Sequence, residues 1–495
     1  MRTPQATRLI AFIAVLAVSF AGASAQLEEK LAALDEVLGG IYAGHPVSLQ
    51  QCIDVALVGN VQLGGFEEEV ENAATARLRA KGQFLPSIGA DASWSKARRT
   101  DFDSPIFVPD FVQAVFFDAS GNVLPPLQIG GQTANELVGV ATGEVEDMTN
   151  EFVSKNGSAS ANMTLFDGFA QFAGVRRSNA DYGASVARLD YQRNIIVQNV
   201  ANRYMDLVKA IRKVEVAVQS EELAGEELAR SETYFELGIS TRSDVLQQKV
   251  NFQNTKLVTV TERNNMRNAF VLLAHSMGVR SSQRFDIEVL IPGADEMSVP
   301  ELAPLLEQAA SDRLDLKAST LNVEGRDAGV KEAEAGLYPN VSVFARYSRN
   351  NTQSPQILRF GSETNDSFSY GISGSWNLFD RFATKESKRR AVAQKRIAEY
   401  NRRIDELNVE AEVVSIHNNL SEAVERSQVA TQTVEQAEED LRLAQERFRV
   451  GAGTSLDVIN AQVGLAQARR DVVDAQADYI KFGHQLRRAS GESVR

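Results

Sequence analysis

One stretch of twelve residues occurs twice in this chain and constrains its fold more than any other feature. Residues 235–246 and 448–459 share an aromatic residue, a glycine, a cluster of hydroxyl side chains, and an aspartate followed by two aliphatic residues. Each copy lies between two long segments whose apolar residues recur at helical spacing. The glycine supplies the positive φ that ends one helix, and the hydroxyls and aspartate cap and charge the next. The chain is therefore predicted to form two long helical hairpins that turn at these copies.

The repetition extends through most of the chain. Pro86 and Pro339 lie in matching contexts 253 positions apart, whereas the two Leu-Phe-Asp motifs at 165–167 and 378–380 are 213 apart, as are the two turns. Two constant offsets indicate an internal duplication, and their difference predicts a longer loop in the first half. The predicted organisation is a signal peptide at 1–25, a lead segment at 26–47, a first repeat at 48–278 and a second repeat at 298–491.

Each repeat is predicted to contain two strands between its helices. Apolar and polar side chains alternate in these segments, which is the period of a strand with one buried or lipid-facing side. The predicted strands are about 84–97 and 156–166 in the first repeat, and about 337–349 and 367–379 in the second. The prolines and glycines of the segment 98–155 predict a long loop. The helical periodicity of the first repeat predicts one helix from Leu49 to about Lys81, and long helices at about 170–234 and 244–277.

The first 25 residues have the composition of a secretory signal. Arg2 and Arg8 precede an apolar run at 9–18, and Ala-Ser-Ala at 23–25 forms an A-x-A cleavage site. The alternative is a membrane anchor, which the shortness of the run disfavours. The mature protein is therefore expected to be exported.

The composition argues against several classes of function. A net charge of −13 and a pI near 5.1 leave no basic surface for nucleic acid. Cys52 is the single cysteine and the four histidines are widely separated, so neither a disulfide framework nor a metal site is expected. The sequence has no phosphate-binding loop, no G-x-S-x-G motif and no metal-ligand spacing. We therefore expect no enzymatic activity and no cofactor.

The element lengths favour a membrane-associated oligomer. A helix from 170 to 234 would be roughly 100 Å long, about three times the thickness of a bilayer's hydrocarbon core. Four strands, apolar on one face, have the pattern of a membrane barrel but are too few to close one, because the smallest single-chain barrels have about eight. Open edges in lipid would leave backbone groups without hydrogen bonds. Other copies of the chain are therefore expected to complete the sheet.

The duplicated order of helices, strands and turns, with Leu-Phe-Asp ending the second strand of each half, resembles the TolC family of outer-membrane efflux factors. The resemblance covers about residues 48–491, apart from most of 98–155. It implies a mainly α protein with a membrane β-barrel: a homotrimer whose twelve-strand barrel contacts outer-membrane lipid and is continued by a long α-helical coiled-coil tunnel in the periplasm. The implied function is an exit duct for small molecules or secreted proteins that docks to a periplasmic adaptor and an inner-membrane pump. Loop 98–155 would then be extracellular, and the turns at 235–244 and 448–457 periplasmic.

The resemblance also assigns roles to residues of the turns. Adaptor docking is implied for Leu237, Gly238, Ile239, Val450, Gly451 and Ala452. An acidic ring at the periplasmic entrance is implied for Asp457, whereas Asn460 replaces the acid of a second ring one helical turn later. The latch that closes the family's tunnel corresponds to Phe448, Gly453, Ser243 and Asp244. In the family, a tyrosine and an arginine at the positions of Phe448 and Gly453 bond to residues at the positions of Ser243 and Asp244. Phenylalanine lacks the phenolic hydroxyl and glycine lacks the guanidinium, so this latch cannot form here as such. Arg242 is an alternative partner for an aspartate.

Simpler interpretations stand beside these roles. Asp244 and Asp457 also fit acids of a first helical turn that complement the helix dipole, and both glycines fit helix C-caps. His417, which matches Tyr204 of the first half, is expected on a helix surface or seam. The rival function is a soluble periplasmic coiled-coil adaptor or structural protein, a class that lacks four strands with one lipid-compatible face.

Overall fold

The computed structural model describes residues 46–100, 128–129, 132–133, 149–280, 285–289, 297–353 and 363–492. The predicted signal peptide, nearly all of the lead segment and most of the predicted loop at 98–155 lie outside these ranges. The described chain divides into a helical unit and a strand unit.

The helical unit begins with two short helices in each half. α1 (Leu49–Gly59) and α2 (Val61–Gly82) replace the single helix that the periodicity predicts, because Asn60 has extended backbone angles of φ −77° and ψ 114°. The second half repeats the break with α5 (Leu302–Asp312) and α6 (Leu314–Glu334), on either side of Arg313 at φ −65° and ψ 125°. The helical spacing of apolar residues continues across each break, so the sequence pattern alone does not show where one helix ends and the next begins.

The long helices form two matched hairpins. α3 (Ala170–Glu236) and α4 (Arg242–Ser276) contain 67 and 35 residues, and α7 (Ala383–Arg449) and α8 (Ser455–Ala489) contain the same numbers. The two hairpins are 213 positions apart throughout, as the duplication predicts. Their seams are buried largely through alanine and valine, which allow helices to pack closely (Val200, Ala201, Val208, Val413, Ala423 and Ala475).

The largest buried cluster of the helical unit joins α1, α3 and α4. Within it, the Tyr204 hydroxyl donates to the carbonyl oxygen of Glu288 at 2.6 Å and lies 3.2 Å from that of Val47. In the second half, Nε2 of His417 lies 2.9 Å from the Pro300 carbonyl oxygen. His417 therefore lies at a seam, as expected, and both residues tie a long helix to a connecting segment.

The strand unit contains one four-stranded antiparallel sheet in the order β1-β4-β5-β6. Its strands are longer than predicted or shifted, because ladder pairing continues beyond the alternating segments: β1 (Ser87–Thr100), β4 (Thr149–Phe166), β5 (Asn340–Gln353) and β6 (Glu363–Ser375). The ends of the predicted loop at 98–155 are thus strand, at 98–100 and 149–155. Two short strands, β2 (Gln128–Ile129) and β3 (Gln132–Thr133), pair with each other.

The register aligns the apolar residues across the sheet. Ile88 pairs with Ala161, Ala161 with Ala345, and Ala345 with Tyr370. Directly paired residues of antiparallel strands point to the same face. The face is exposed in the single chain, with Ile88 and Tyr370 81% and 77% accessible. The prediction of four strands with one continuous apolar face is confirmed.

Within the described ranges, no helix combines the length and hydropathy needed to cross a membrane. The same ranges contain no cluster of His, Cys, Asp and Glu arranged to hold a metal ion.

Candidate functional site at the paired turns

The first turn ends α3 with a Schellman motif. Gly238 has φ +74°, its N–H donates to the Phe235 carbonyl at 3.0 Å, and the Ile239 N–H donates to the Tyr234 carbonyl at 2.8 Å. A side chain at Gly238 would meet nothing within 4 Å, so the glycine is required by its backbone conformation and not by crowding.

The second turn repeats this geometry at the end of α7. Gly451 has φ +76°, its N–H donates to the Phe448 carbonyl at 3.1 Å, and the Ala452 N–H donates to the Arg447 carbonyl at 2.8 Å. The prediction that both glycines are helix C-caps is confirmed.

Each return helix then begins with a capping box. The Thr241 hydroxyl donates to Asp244 Oδ2 at 2.7 Å and accepts from the Asp244 N–H at 3.3 Å, and the Thr241 N–H donates to the same carboxylate at 2.9 Å. Thr454 and Asp457 make the same three contacts at 2.7, 3.2 and 2.8 Å. These boxes satisfy backbone donors that would otherwise lack partners in the first helical turn. Both aspartates are therefore helix-capping acids.

The capping box also sets the ionisation of Asp457. Hydrogen bonds from the backbone and side chain of Thr454 hold the pKa of the Asp457 carboxyl below its ordinary value, and the positive charge of Arg447 acts in the same direction. Asp457 and Asn460 are both solvent-exposed in the single chain. A capping role and a charge that faces an aqueous entrance are thus compatible in one side chain.

The tips of both turns expose aliphatic side chains. Leu237, Ile239 and Val450 are 66%, 64% and 69% accessible, and Ala452 is also exposed. Charged or polar residues would be expected at the solvent-exposed tip of a hairpin with no partner. The residues predicted to dock an adaptor therefore form two small apolar surfaces, one at each turn.

The two hairpins contact each other just behind the turns. The Tyr234 and Phe448 ring centroids are 6.3 Å apart, so the predicted latch position Phe448 makes a ring contact in place of a phenolic hydrogen bond. Gln248 Nε2 donates to Ser455 Oγ at 3.0 Å, and Asn251 Nδ2 donates to Gln462 Oε1 at 2.9 Å. Both amide links join α4 to α8, and they were not found from the sequence.

The remaining predicted latch residues have surroundings of their own. Gly453 fits closely against α7, since a Cβ there would lie 3.1 Å from the Arg447 Cβ. Arg242 and Ser243 are exposed. The carboxylate of Asp244 is held by Thr241, so Arg242 does not serve as its partner in this chain.

Sequence reasoning also missed the buried Glu227, which is 3% exposed on α3. Its Oε1 accepts from Gln445 Nε2 on α7 at 2.6 Å and from Arg230 at 2.9 Å. Burial raises the pKa of Glu227, against the opposing effects of Arg230 and Gln445. The signal in the sequence is that Glu227 falls on the alanine-rich face of α3, four residues before the buried Ser231.

Comparison with known proteins gives one family and a consistent fold. The family described as outer membrane efflux protein matches residues 52–279 and 305–492, two segments that correspond to the two halves. The outer membrane protein TolC of Vibrio cholerae is 22% identical over 317 residues, which cover 64% of this chain and 70% of that protein. The alkaline protease secretion protein AprF of Pseudomonas aeruginosa is 22% identical over 334 residues, covering 66% of this chain and 67% of that protein.

Among solved structures, the outer membrane protein VceC of Vibrio cholerae is similar to the chain with a TM-score of 0.69 and 18% identity. The alignment covers 90% of this chain and 96% of that one. At this identity the likeness concerns the fold, and it includes both the long helices and the four-stranded sheet because nearly all of each chain is aligned.

Proposed function

The chain belongs to the outer membrane efflux protein family, and from this premise we propose that it acts as a homotrimer that joins a periplasmic adaptor and an inner-membrane pump. It is an exit duct of the outer membrane, with its helical part in the periplasm, and not an enzyme. The family match also decides against the rival interpretation as a soluble adaptor.

The main observation that supports an oligomer is the open four-stranded sheet. β1 and β6 are edge strands, since within the described residues β1 pairs only with β4 and β6 only with β5. Edge strands leave a row of N–H and C=O groups unpaired, and in lipid that cost requires closure of the sheet. Three copies, the number that the family resemblance implies, would supply twelve strands. Residues 48–278 and 298–491 would be the two structural repeats of each copy, with the loop at 98–155 extracellular.

We assign adaptor docking to the apolar surfaces of the two turns. Leu237, Gly238 and Ile239 form the first surface, and Val450, Gly451 and Ala452 form the second. Burial of exposed aliphatic side chains supplies the driving force for association, and the Schellman geometry holds both surfaces in one conformation before binding.

We assign the periplasmic entrance to the start of α8. Three copies of Asp457 around the trimer axis would place like charges close together and attract cations. Asn460, one helical turn further on, carries no charge. The trimer would therefore have one acidic ring, formed by Asp457, and no second ring at position 460.

Docking is tested by comparing Gly451→Trp with Gly451→Ala. Both substitutions impose the same positive-φ strain, and neither Cβ meets another atom within 4 Å, so only the indole differs. Export of the cargo by host cells should be lost with Gly451→Trp and retained with Gly451→Ala, while native electrophoresis shows trimers in the outer membrane for both. Normal export by Gly451→Trp, or recovery of the protein as a soluble periplasmic monomer, would contradict the proposal.

A further inference from the structure

An open cleft of about 510 Å³ lies where the break between α1 and α2 meets α3 and the C-terminal end of α4. Its polar lining includes Gln62, Asn199, Arg203, His275 and Arg280. None of the described residues that line it is an aspartate or glutamate. The cleft is therefore rich in hydrogen-bond donors, with basic groups and no carboxylate.

The corresponding place in the second half is filled by ionic side chains. Arg313, which is 4% exposed at its side chain, places Nη2 2.6 Å from Asp315 Oδ2 and Nη1 2.6 Å from Glu412 Oε2. Arg488 pairs with the other oxygen of Glu412. Two arginines and two acids thus neutralise each other there.

The internal duplication relates the two places residue by residue. Asn60, Gln62, Asn199 and His275 of the first half occupy the positions of Arg313, Asp315, Glu412 and Arg488. Where the second half has two acids the first half has two amides, and where it has two arginines the first half has an asparagine and a histidine. The first half has Arg203 where the second half has Ile416, so this place contains basic groups without the acids that neutralise them in the second half.

Among the described residues, internal partners do not occupy all of these side chains. Asn60 is engaged, because its Nδ2 donates to the Ser276 carbonyl at 3.3 Å and its Oδ1 accepts from the Gln62 N–H at 2.9 Å. Arg203 lies 3.4 Å from Asp206, but that carboxylate also accepts from Lys481 at 3.2 Å and does not line the cleft. Arg203 therefore retains guanidinium donors that a ligand can use, since it carries five N–H groups.

We propose that this cleft binds a small oxyanion, a free phosphate or a multivalent carboxylate, at the positions where the second half has the acids Asp315 and Glu412. Guanidinium groups bind such anions through paired, charge-assisted hydrogen bonds, and the amides of Gln62 and Asn199 add neutral donors. The cleft volume of about 510 Å³ is about seventeen times the roughly 30 Å³ that one water occupies, which leaves room for a polyatomic anion.

The test is calorimetric titration of the purified full-length protein in detergent with inorganic phosphate and, separately, with citrate, at constant ionic strength. Saturable binding of at least one anion is expected, and Arg203→Gln should weaken it at least tenfold. Arg212→Gln is the matched control, because Arg212 lies on the same helix and forms a similar half-exposed pair with Glu215 at 2.8 Å. The control should bind as the parent does.

A second variant restores the pattern of the second half. Asn199→Glu places a carboxylate at the position of Glu412, and it should abolish anion binding without loss of folding. Absence of saturable binding of either anion, or binding that survives Arg203→Gln, overturns the proposal. Weakened association of the chains in Arg203→Gln, with no anion bound by the parent, also overturns it, because an acidic side chain of a second copy would then be the occupant.

Discussion

Arg313 and Glu412 are 99 positions apart in the sequence, and their side chains form an ion pair at 2.6 Å. The guanidinium also donates to the Ala489 carbonyl at 3.3 Å, at the end of α8. Burial acts to lower the pKa of Arg313, but the hydrogen bonds and charges of Asp315 and Glu412 raise it above its ordinary value. The pair thus fixes the break between α5 and α6 against the second hairpin.

Glu412→Gln should destabilise the protein by about 1–3 kcal/mol, because two arginines lose a charged hydrogen-bond partner. Thermal unfolding in detergent at pH 7 measures the change as a lower Tm. Glu215→Gln, which removes an exposed partner of Arg212, should change the stability by less than about 1 kcal/mol. Equal shifts for the two variants would show that the buried pair adds nothing.

The positive-φ glycines should differ in their tolerance of a methyl group. Gly238 and Gly278 both have φ +74°, but a Cβ at Gly278 would lie 2.6 Å from the Gly59 carbonyl oxygen, whereas one at Gly238 meets nothing within 4 Å. Gly238→Ala should therefore cost only the backbone strain of about 1–2 kcal/mol, and Gly278→Ala should cost more. Thermal unfolding ranks the two variants, and a smaller Tm loss for Gly278→Ala would contradict the prediction.

Asp457→Asn should reduce the preference for cations over anions in planar-bilayer conductance, and Asn460→Asp should increase it. Asp244→Asn is the matched control, because Asp244 has the same capping box on the first turn and should leave selectivity unchanged. Hydrogen bonds from Thr454 lower the pKa of Asp457, so its charge and the cation preference should be present at neutral pH and decline when the carboxylate is protonated at acid pH. Unchanged selectivity in Asp457→Asn would remove this residue from the entrance.

The link between Gln248 and Ser455 should help to hold the turns together. Gln248 is 1% exposed and Ser455 is fully buried, so Gln248→Leu leaves a buried hydroxyl without its donor, at a cost of about 1–3 kcal/mol. We expect larger or more frequent conductance steps in bilayers because the two hairpins separate more easily. Gln247→Leu, on the exposed side of the same helix, should behave as the parent, and identical traces for both variants would exclude the link from gating.

Buried Glu227 should make stability depend on pH. Its pKa is raised by burial, so the unfolded chain loses the proton first, and stability falls as the pH rises above about 4.5 toward the folded-state pKa. Glu227→Gln should remove this loss and raise the Tm at pH 7, because the amide oxygen can still accept from Gln445. Glu222→Gln, at an exposed position of the same helix that does not act on the pKa of Glu227, serves as control. A lower Tm for Glu227→Gln at pH 7 would contradict the argument.

The turns were predictable because their stabilising contacts are local. Gly238 and Gly451 bond to carbonyls three residues back, and Thr241 and Thr454 bond to acids three residues ahead, so the residues concerned appear side by side in the sequence. The strands were predictable for the same reason, since the alternation of apolar and polar residues shows which face of a strand is apolar whatever strand it pairs with. Their ends were not, because a ladder continues as long as a partner strand does.

The sequence by itself determined the duplication, the two helical hairpins and the apolar face of the sheet, because each follows from the spacing of residues along one element. The tertiary structure decided the breaks at Asn60 and Arg313, the amide links between α4 and α8, and the open cleft at the first of these breaks. These depend on which faces of distant helices meet and in what register. The pattern of apolar residues shows which face of a helix is buried. Only the packing of the helices determines which polar side chains come into contact.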